Sequence, residues 1–372
     1  MNILTCEQVS DGHPDKICDQ IADAIVTDCL RVDKNTRAGI EVMIKDNYFI
    51  IAGELTSKNT PNYRELVYRV FDTIGWDRSG RGSRDTNGID LTVLVYKQSN
   101  DIAIGVDIGG AGDQGIVYGY ATNETKEYLP IPFVLATELL QKLKELNNKN
   151  LKADAKAQVS YDYDTNKITT FLCSVQHTED ITLEEINEIV SAQMKSVAEA
   201  RGLNTDFQIL VNPTGRFVEG STWADCGVTG RKLACDTYGS IGHIGGGALS
   251  GKDPTKVDRS GAYIARKIAK DIVKEGYADK CEIQIGYAIG VIDPISIHVD
   301  TFGTGKKDNE FLLQYIKDNY DLSPQGIIIR LNLSDVNYNR ISAFGQFGRL
   351  DLDLPWEADE LVDQDTEIVV EK

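Results

Sequence analysis

Apolar residues recur at spacings of three and four between Asp15 and about Leu30, at Ile17, Ile21, Ile25, Val26 and Leu30, and this period predicts an amphipathic helix. Pro14 suits its first turn. The same period returns at about 61–74, 132–147, 183–200, 258–275 and 309–319. Strand-like stretches lie at Gly39–Ile44 and Tyr48–Leu55, joined by the turn signal Asp46-Asn47. Further β-rich runs occupy 90–97, 156–176, 206–212, 281–299 and 326–333. Because strands often come as adjacent pairs between helices, the pattern predicts an α/β chain of the α+β type, with mixed sheets carrying helices on one face. The polar stretch Asn147–Asn150 and the region Gly230–Gly251 are candidate boundaries. Neither a repeat nor a heptad array is evident.

Composition narrows the function classes. A chain of 372 residues with a formal net charge of -18 repels nucleic acid and anionic membrane, so neither is an expected partner. Any anionic ligand must then be held by a local basic cluster. The seven cysteines (Cys6, Cys18, Cys29, Cys173, Cys226, Cys235 and Cys281) are scattered and form no C-x-x-C pair, which points to a reducing, cytoplasmic setting. The start, Met1 to Glu7, has neither a basic region nor a long apolar stretch, so no secretory signal is expected.

Four segments could carry chemistry. Gly12-His13-Pro14-Asp15-Lys16 crowds an imidazole, a carboxylate and an ammonium at a helix start, where free backbone N–H groups favour anions; an ordinary capped helix start reads the same way. Gly110-Ala111-Gly112-Asp113-Gln114-Gly115 is a glycine-rich turn that lets a nucleotide approach, although most such turns only bend the chain. The third segment runs from Asn212 through Arg216-Phe217 to Asp225 and Arg231-Lys232. In the fourth, Gly246 to Lys252 matches the G-x-x-x-x-G-K of a phosphate-binding P-loop, but Asp253 stands where a magnesium-binding hydroxyl belongs. This loop is therefore read as another kind of phosphate cradle, in which Lys252, Lys256 and Arg259 neutralise a polyphosphate and Asp258 holds its metal. Between Asn212 and Lys267 eight Lys/Arg face five acids, a basic window in an acidic chain. His177, His243 and His298 fit no metal-ligand spacing and are read as packing or surface residues.

Taken in order, these segments resemble the S-adenosylmethionine synthetase family from Glu7 to Arg349, with GHPDK, GAGDQG and SGKDPTKVDRS as the most specific motifs. Further signatures are Gly53-Glu54, Lys97-Gln98-Ser99, Asp154-Ala155-Lys156 and Tyr287-Ala288-Ile289-Gly290. The resemblance implies three similar β-sheet-plus-helix subdomains around a pseudo-threefold axis, interleaved in sequence and divided here as 1–115, 116–235 and 236–372. It also implies a homodimer with shared active sites, assembled as a dimer of dimers, that joins the sulfur of methionine to the 5′ carbon of ATP. The triphosphate released is then cleaved to phosphate and pyrophosphate. By position His13, Lys156, Arg231, Lys232 and Lys252 would be catalytic. Asp113, Asp154, Arg216, Phe217, Asp225 and Ala248 would join them in holding ATP. Glu54, Gln98, Asp225, Lys256 and Ile289 would line the methionine site. Two Mg2+ per site are implied, with Asp15 and Asp258 as ligands, and a K+ near Glu41. Against the family pattern, the segment Ser99–Gly109 is shorter than the usual active-site loop, Ile244 and Leu249 replace a common His and Phe, and Asn147–Ala153 lacks a Pro-Trp connection. Gating and substrate tolerance are therefore expected to differ. The competing readings are a P-loop-type ATPase or kinase, and a nucleotide-binding regulatory subunit without turnover.

Overall fold

The computed structural model describes residues 2–75, 89–98 and 109–359. Within them the strands form three sheets, each knitted from distant parts of the chain. In the first, β1 (Ile3–Val9), β6 (Leu151–Asp162), β7 (Lys167–His177) and β8 (Gln208–Val211) lie in the order β1-β6-β7-β8. In the second, β4 (Asp90–Tyr96), β3 (Tyr48–Thr56), β2 (Arg37–Lys45) and β9 (Gly227–Val228) lie in the order β4-β3-β2-β9. The third is β11 (Ser296–Asp300), β10 (Lys280–Tyr287) and β5 (Gly115–Thr122). Pairings β3–β4 and β7–β8 are parallel and the others antiparallel, so the expected mixed sheets are present.

Helices cover one face of each sheet. Helices α3 (Ile131–Glu145) and α4 (Leu183–Ala200) close a core with Val159, Phe171 and Val175 of the first sheet. A larger core joins the second and third sheets to α1 (Pro14–Val32), α2 (Tyr63–Ile74) and α7 (Val257–Lys274). The uncovered face alternates with the buried one, as β2 shows: Ala38, Ile40, Val42 and Ile44 are buried, whereas Glu41 and Met43 are exposed. Short helices α5 (Ser221–Ala224) and α6 (Leu233–Asp236) flank β9. Near the end of the described chain lie α8 (Asn309–Asn319) and α9 (Pro324–Arg330).

Most helices match the periodicity within a few residues. The run 326–333 does not: it is the second half of α9 and the turn after it, not β structure. Three successive isoleucines favour a strand, but Ser323 Oγ caps the helix by accepting from Gly326 N at 3.1 Å and Pro324 occupies the first turn. Ile327 and Leu331, four apart, then bury against the core. Strands β1 and β5 carry no periodic signal strong enough to predict them. The β-rich run 156–176 is the hairpin of β6 and β7, one of the adjacent strand pairs the pattern suggests.

Candidate active site

The motif His13-Pro14-Asp15-Lys16 opens α1, as its sequence suggests, and His13 is the N-cap residue. Its Nδ1 accepts from the backbone N–H of Asp15 at 3.2 Å. That bond keeps the proton on Nε2, and among the described residues no acceptor takes the Nε2–H. Burial, then the Lys232 charge, push the imidazole pKa down to about 4, with Asp15, Lys156 and Asp225 also acting on the ring. His13 is thus neutral near pH 7. Asp15 is buried; its Oδ1 accepts from Val228 N at 2.9 Å and its Oδ2 from Lys232 Nζ at 2.6 Å. Arg231 Nε stands 3.7 Å from the same carboxylate. Lys156, on β6, pairs with Glu7 at 2.9 Å.

Next to this cluster the nucleotide candidates divide. Asp154 Oδ2 accepts from Ser221 N at 2.6 Å, and Gly220 beside that serine leaves room for the Phe217 ring. Asp225 is exposed and caps its own loop through Cys226 N. Arg216 instead pairs with Glu179 on the exposed surface. Burial lifts the Asp154 carboxyl to about 6, with the Asp225 charge adding to the rise and the Ser221 bond opposing it.

A raised carboxyl pKa has a definite sign. Ionising Asp154 costs the folded state, so stability present below the unfolded value near 4 is lost as pH rises through about 6. Asp154→Asn keeps an acceptor for Ser221 N and is expected to stabilise the free protein at pH 7.5 by on the order of 1–3 kcal/mol, read by thermal melts, with a smaller effect at pH 4.

The second cluster sits at the start of α7. Lys252 Nζ donates to Asp258 Oδ2 at 2.7 Å. A Cβ on Gly247 would lie 2.1 Å from the Asp258 carboxyl carbon, so only glycine lets this loop pass the carboxylate. Ala248 packs against Gly230, which joins this loop to the one carrying Arg231 and Lys232. Lys252 bridges to Gly39, whose partner across β2–β3 is Glu54. Glu41 lies two residues along the same strand face; partial desolvation raises its carboxyl pKa and Lys252 opposes the rise. Lys256 is paired with buried Asp253 at 2.8 Å. Farther off in the sheet order, Ala111 bridges Ile289, with Gly110 against Gly290, placing Asp113 and Ile289 on two adjoining turns. Gln98 ends a described segment, its N–H donating to Thr56 Oγ1 at 3.3 Å. The short segment 99–108 lies outside the described residues.

Three cations of the basic window are not ligand groups. Arg259 is fully buried, with Nη2 2.7 Å from both Asp23 oxygens and Nη1 2.8 Å from Lys252 O, so it cannot neutralise a polyphosphate. Arg266 is spent on Glu357 and Lys267 on Asp271, both inside the core. Charge counts along a sequence do not distinguish a solvated cation from one sealed in a buried pair. The P-loop reading also fails in detail. Asp253 is fully buried, accepting from Ala38 N at 2.7 Å and Thr255 N at 2.9 Å, and turns rather than a strand lead into the loop. His177 is a packing residue, its Nε2 accepting from Phe217 N at 3.0 Å, and His243 is a surface residue 2.7 Å from Glu282.

Sequence reading missed Asp19, Asp23 and Asp236. All three are buried, and the first two continue Asp15 at intervals of four along α1, a signal visible in the sequence.

Two lysines and an arginine stand among carboxylates near the starts of α1 and α7, an arrangement with the charge pattern to receive a polyphosphate, in a fold of three sheet-plus-helix units. The chain matches the S-adenosylmethionine synthetase N-terminal domain over residues 1–100, the central domain over 108–217 and the C-terminal domain over 219–358. It is similar to an S-adenosylmethionine synthase of Fusobacterium nucleatum, 47% identical over 373 residues, with 97% of each chain covered. The chain belongs to the S-adenosylmethionine synthetase family. Its function is the transferase reaction of that family, formation of S-adenosylmethionine from methionine and ATP.

Proposed function

We propose that His13, Lys156, Arg231, Lys232 and Lys252 draw a triphosphate away from the ribose while methionine sulfur attacks. The observation that carries this is geometric: His13 Nδ1 is held by Asp15 N, which turns Nε2 to the other side of the ring, and the same Asp15 carries Lys232 and Arg231. Thioether sulfur is already a nucleophile, so no base is required. The S–C5′ bond forms, the C5′–O bond breaks, and its electron pair leaves on the triphosphate as sulfur becomes a sulfonium. His13 Nε2–H donates to that departing oxygen, and the cations stabilise the charge it acquires. The same cations then hold the triphosphate for hydrolysis to phosphate and pyrophosphate. Asp113, Asp154, Phe217, Asp225 and Ala248, with Arg216 released from Glu179, are assigned to the nucleotide. Glu54, Gln98, Asp225, Lys256 and Ile289 are assigned to methionine.

The donor set suits magnesium. Asp258 offers a carboxylate at the cradle, and Asp15, whose Oδ1 is held by Val228 N, would offer Oδ2 in exchange for Lys232; Mg2+ is commonly held by one or two carboxylates together with substrate phosphates. Each carboxylate is paired with a lysine, so a metal and a polyphosphate arriving together bring the charge that both partners need. We assign Asp15 and Asp258 to two Mg2+ and Glu41 to K+. Bound there, the metals supply neutralisation of the phosphate oxygens.

A homodimer with shared sites, paired into a tetramer, is also proposed. Met43, Ile50, Leu94 and Tyr96 are exposed on the uncovered face of the second sheet, which also bears Glu41 and Glu54. All seven cysteines are free, which supports a cytoplasmic location, and among the described residues no helix is long and apolar enough to cross a membrane. The division at 115 and 235 is kept as a proposal, with strands exchanged between units.

Incubation with ATP, methionine, Mg2+ and K+ is expected to yield S-adenosylmethionine with one phosphate and one pyrophosphate per turnover. ATP hydrolysis indifferent to methionine would overturn this reading in favour of an ATPase.

A further inference from the structure

Three carboxylates on successive turns of α1 each hold a backbone N–H of the loops that present the cations. Asp15 Oδ1 accepts from Val228 N, Asp19 Oδ1 from Gly230 N and Asp23 Oδ1 from Gly251 N, each at 2.9 Å. Spacing of four residues sets the carboxylates about 6 Å apart along the helix. Gly230 immediately precedes Arg231-Lys232 and Gly251 immediately precedes Lys252. The second oxygens are anchored too: Asp19 Oδ2 accepts from Lys16 Nζ at 2.9 Å, and Lys16 also reaches Asp236 Oδ1 at 2.5 Å. Asp23 takes both of its short bonds from Arg259, which in turn donates to Lys252 O at 2.8 Å. Asp19, Asp23, Lys16 and Arg259 are at most 1% exposed, so none touches substrate.

We propose that Asp19 and Asp23 are positioning residues that fix the register between the Arg231-Lys232 loop and the Lys252 loop, one carboxylate per loop. The inference rests on the reading that Lys232 and Lys252 hold the triphosphate. It goes beyond that reading in assigning the precision of the site to a row of buried acids on one helix. A charged carboxylate accepting a backbone N–H bonds more strongly than a neutral acceptor, and two such bonds from one rigid helix leave the loops little freedom to separate.

The test is a cycle of variants read by kcat, KM for methionine and melting temperature. Asp19→Ala removes the acceptor for Gly230 N but leaves Lys16 paired with Asp236. It is expected to lower kcat on the order of 10- to 100-fold. Asp19→Asn, whose amide oxygen can accept from Gly230 N, is expected to recover most of that loss and serves equally if the alanine variant does not fold. In a Lys232→Met background, and equally in a Lys252→Met background, Asp19→Ala should cost little more, because the register no longer brings two cations together. Equal, additive losses in both backgrounds, or a lowered melting temperature with kcat unchanged, would overturn the proposal and leave Asp19 a folding residue only. If Lys232→Met alone retains full kcat, the reading of the site falls first, and that outcome is distinct from additivity.

Discussion

His13→Asn is expected to lower kcat by about 10²–10³ while leaving the melting temperature unchanged within error. Asparagine is among the best N-cap residues, and its side-chain oxygen can take the Asp15 N–H that Nδ1 accepts in the wild-type protein. Helix α1 should therefore start where it does now. What the substitution removes is the Nε2–H, the donor assigned above to the leaving oxygen. Loss of one such donor is worth about 3–4 kcal/mol in the transition state, and because the ground state gains little from it, KM for ATP should move less than kcat. The His13 pKa near 4 adds a pH signature: between about 4 and 6.5 the unfolded chain binds a proton that the folded chain refuses. The stability the wild-type protein has above pH 6.5 is therefore partly lost as pH falls through about 4, and the variant, matched to it in melting temperature at pH 7, should lack this part of the acid slope. A melting temperature that drops with kcat intact would reduce His13 to a cap.

Arg259→Leu is expected to act in the opposite manner, destabilising the protein by about 3–5 kcal/mol. The substitution leaves Asp23 as a buried carboxylate with only the Gly251 N–H, strips Lys252 O of its donor and removes the guanidinium stacked 4.3 Å over the Tyr338 ring. Thermal melting should report a fall of about 4–6 °C. Were Arg259 a polyphosphate ligand, as its place beside Lys252 and Asp258 in the sequence suggests, the melting temperature would hold and only the kinetics would suffer. The two outcomes separate a buried strut from a ligand group by one measurement on free protein.

These two residues also mark how far the sequence could be read. His13 was legible because Pro14 and the apolar period of α1 place it at a helix start, and helix starts have a known chemistry. Arg259 was misread because linear proximity to Lys252 says nothing of direction: the step of about 100° from one residue to the next swings Arg259 into the core while Asp258 stays at the cradle. The run of Ile327, Ile328 and Ile329 misled for a related reason, since local propensity yields to a serine cap, a proline and a buried i, i+4 pair. Legible but overlooked was the row Asp15, Asp19, Asp23, whose spacing of four coincides with that of Ile17, Ile21 and Ile25 on the same helix. Acids repeated at the helical period beside a buried stripe are too costly to leave unpaired, and the residues that satisfy them lie about 200 positions away.

That long reach between partners bears on how the chain is made. Strand β1 ends at Val9 and its neighbour β6 begins at Leu151; β2 waits for β9 at Gly227, and β5 for β10 at Lys280. At a ribosomal pace of ~5–20 residues per second, the first strand emerges on the order of 10 s before anything can pair with it. Such high contact order makes for slow folding, and the nascent amino-terminal third exposes sheet edges that other copies could capture. Truncated or stalled products of this gene should accordingly aggregate, and yield in a heterologous host should respond to added holdase more than to any single stabilising substitution.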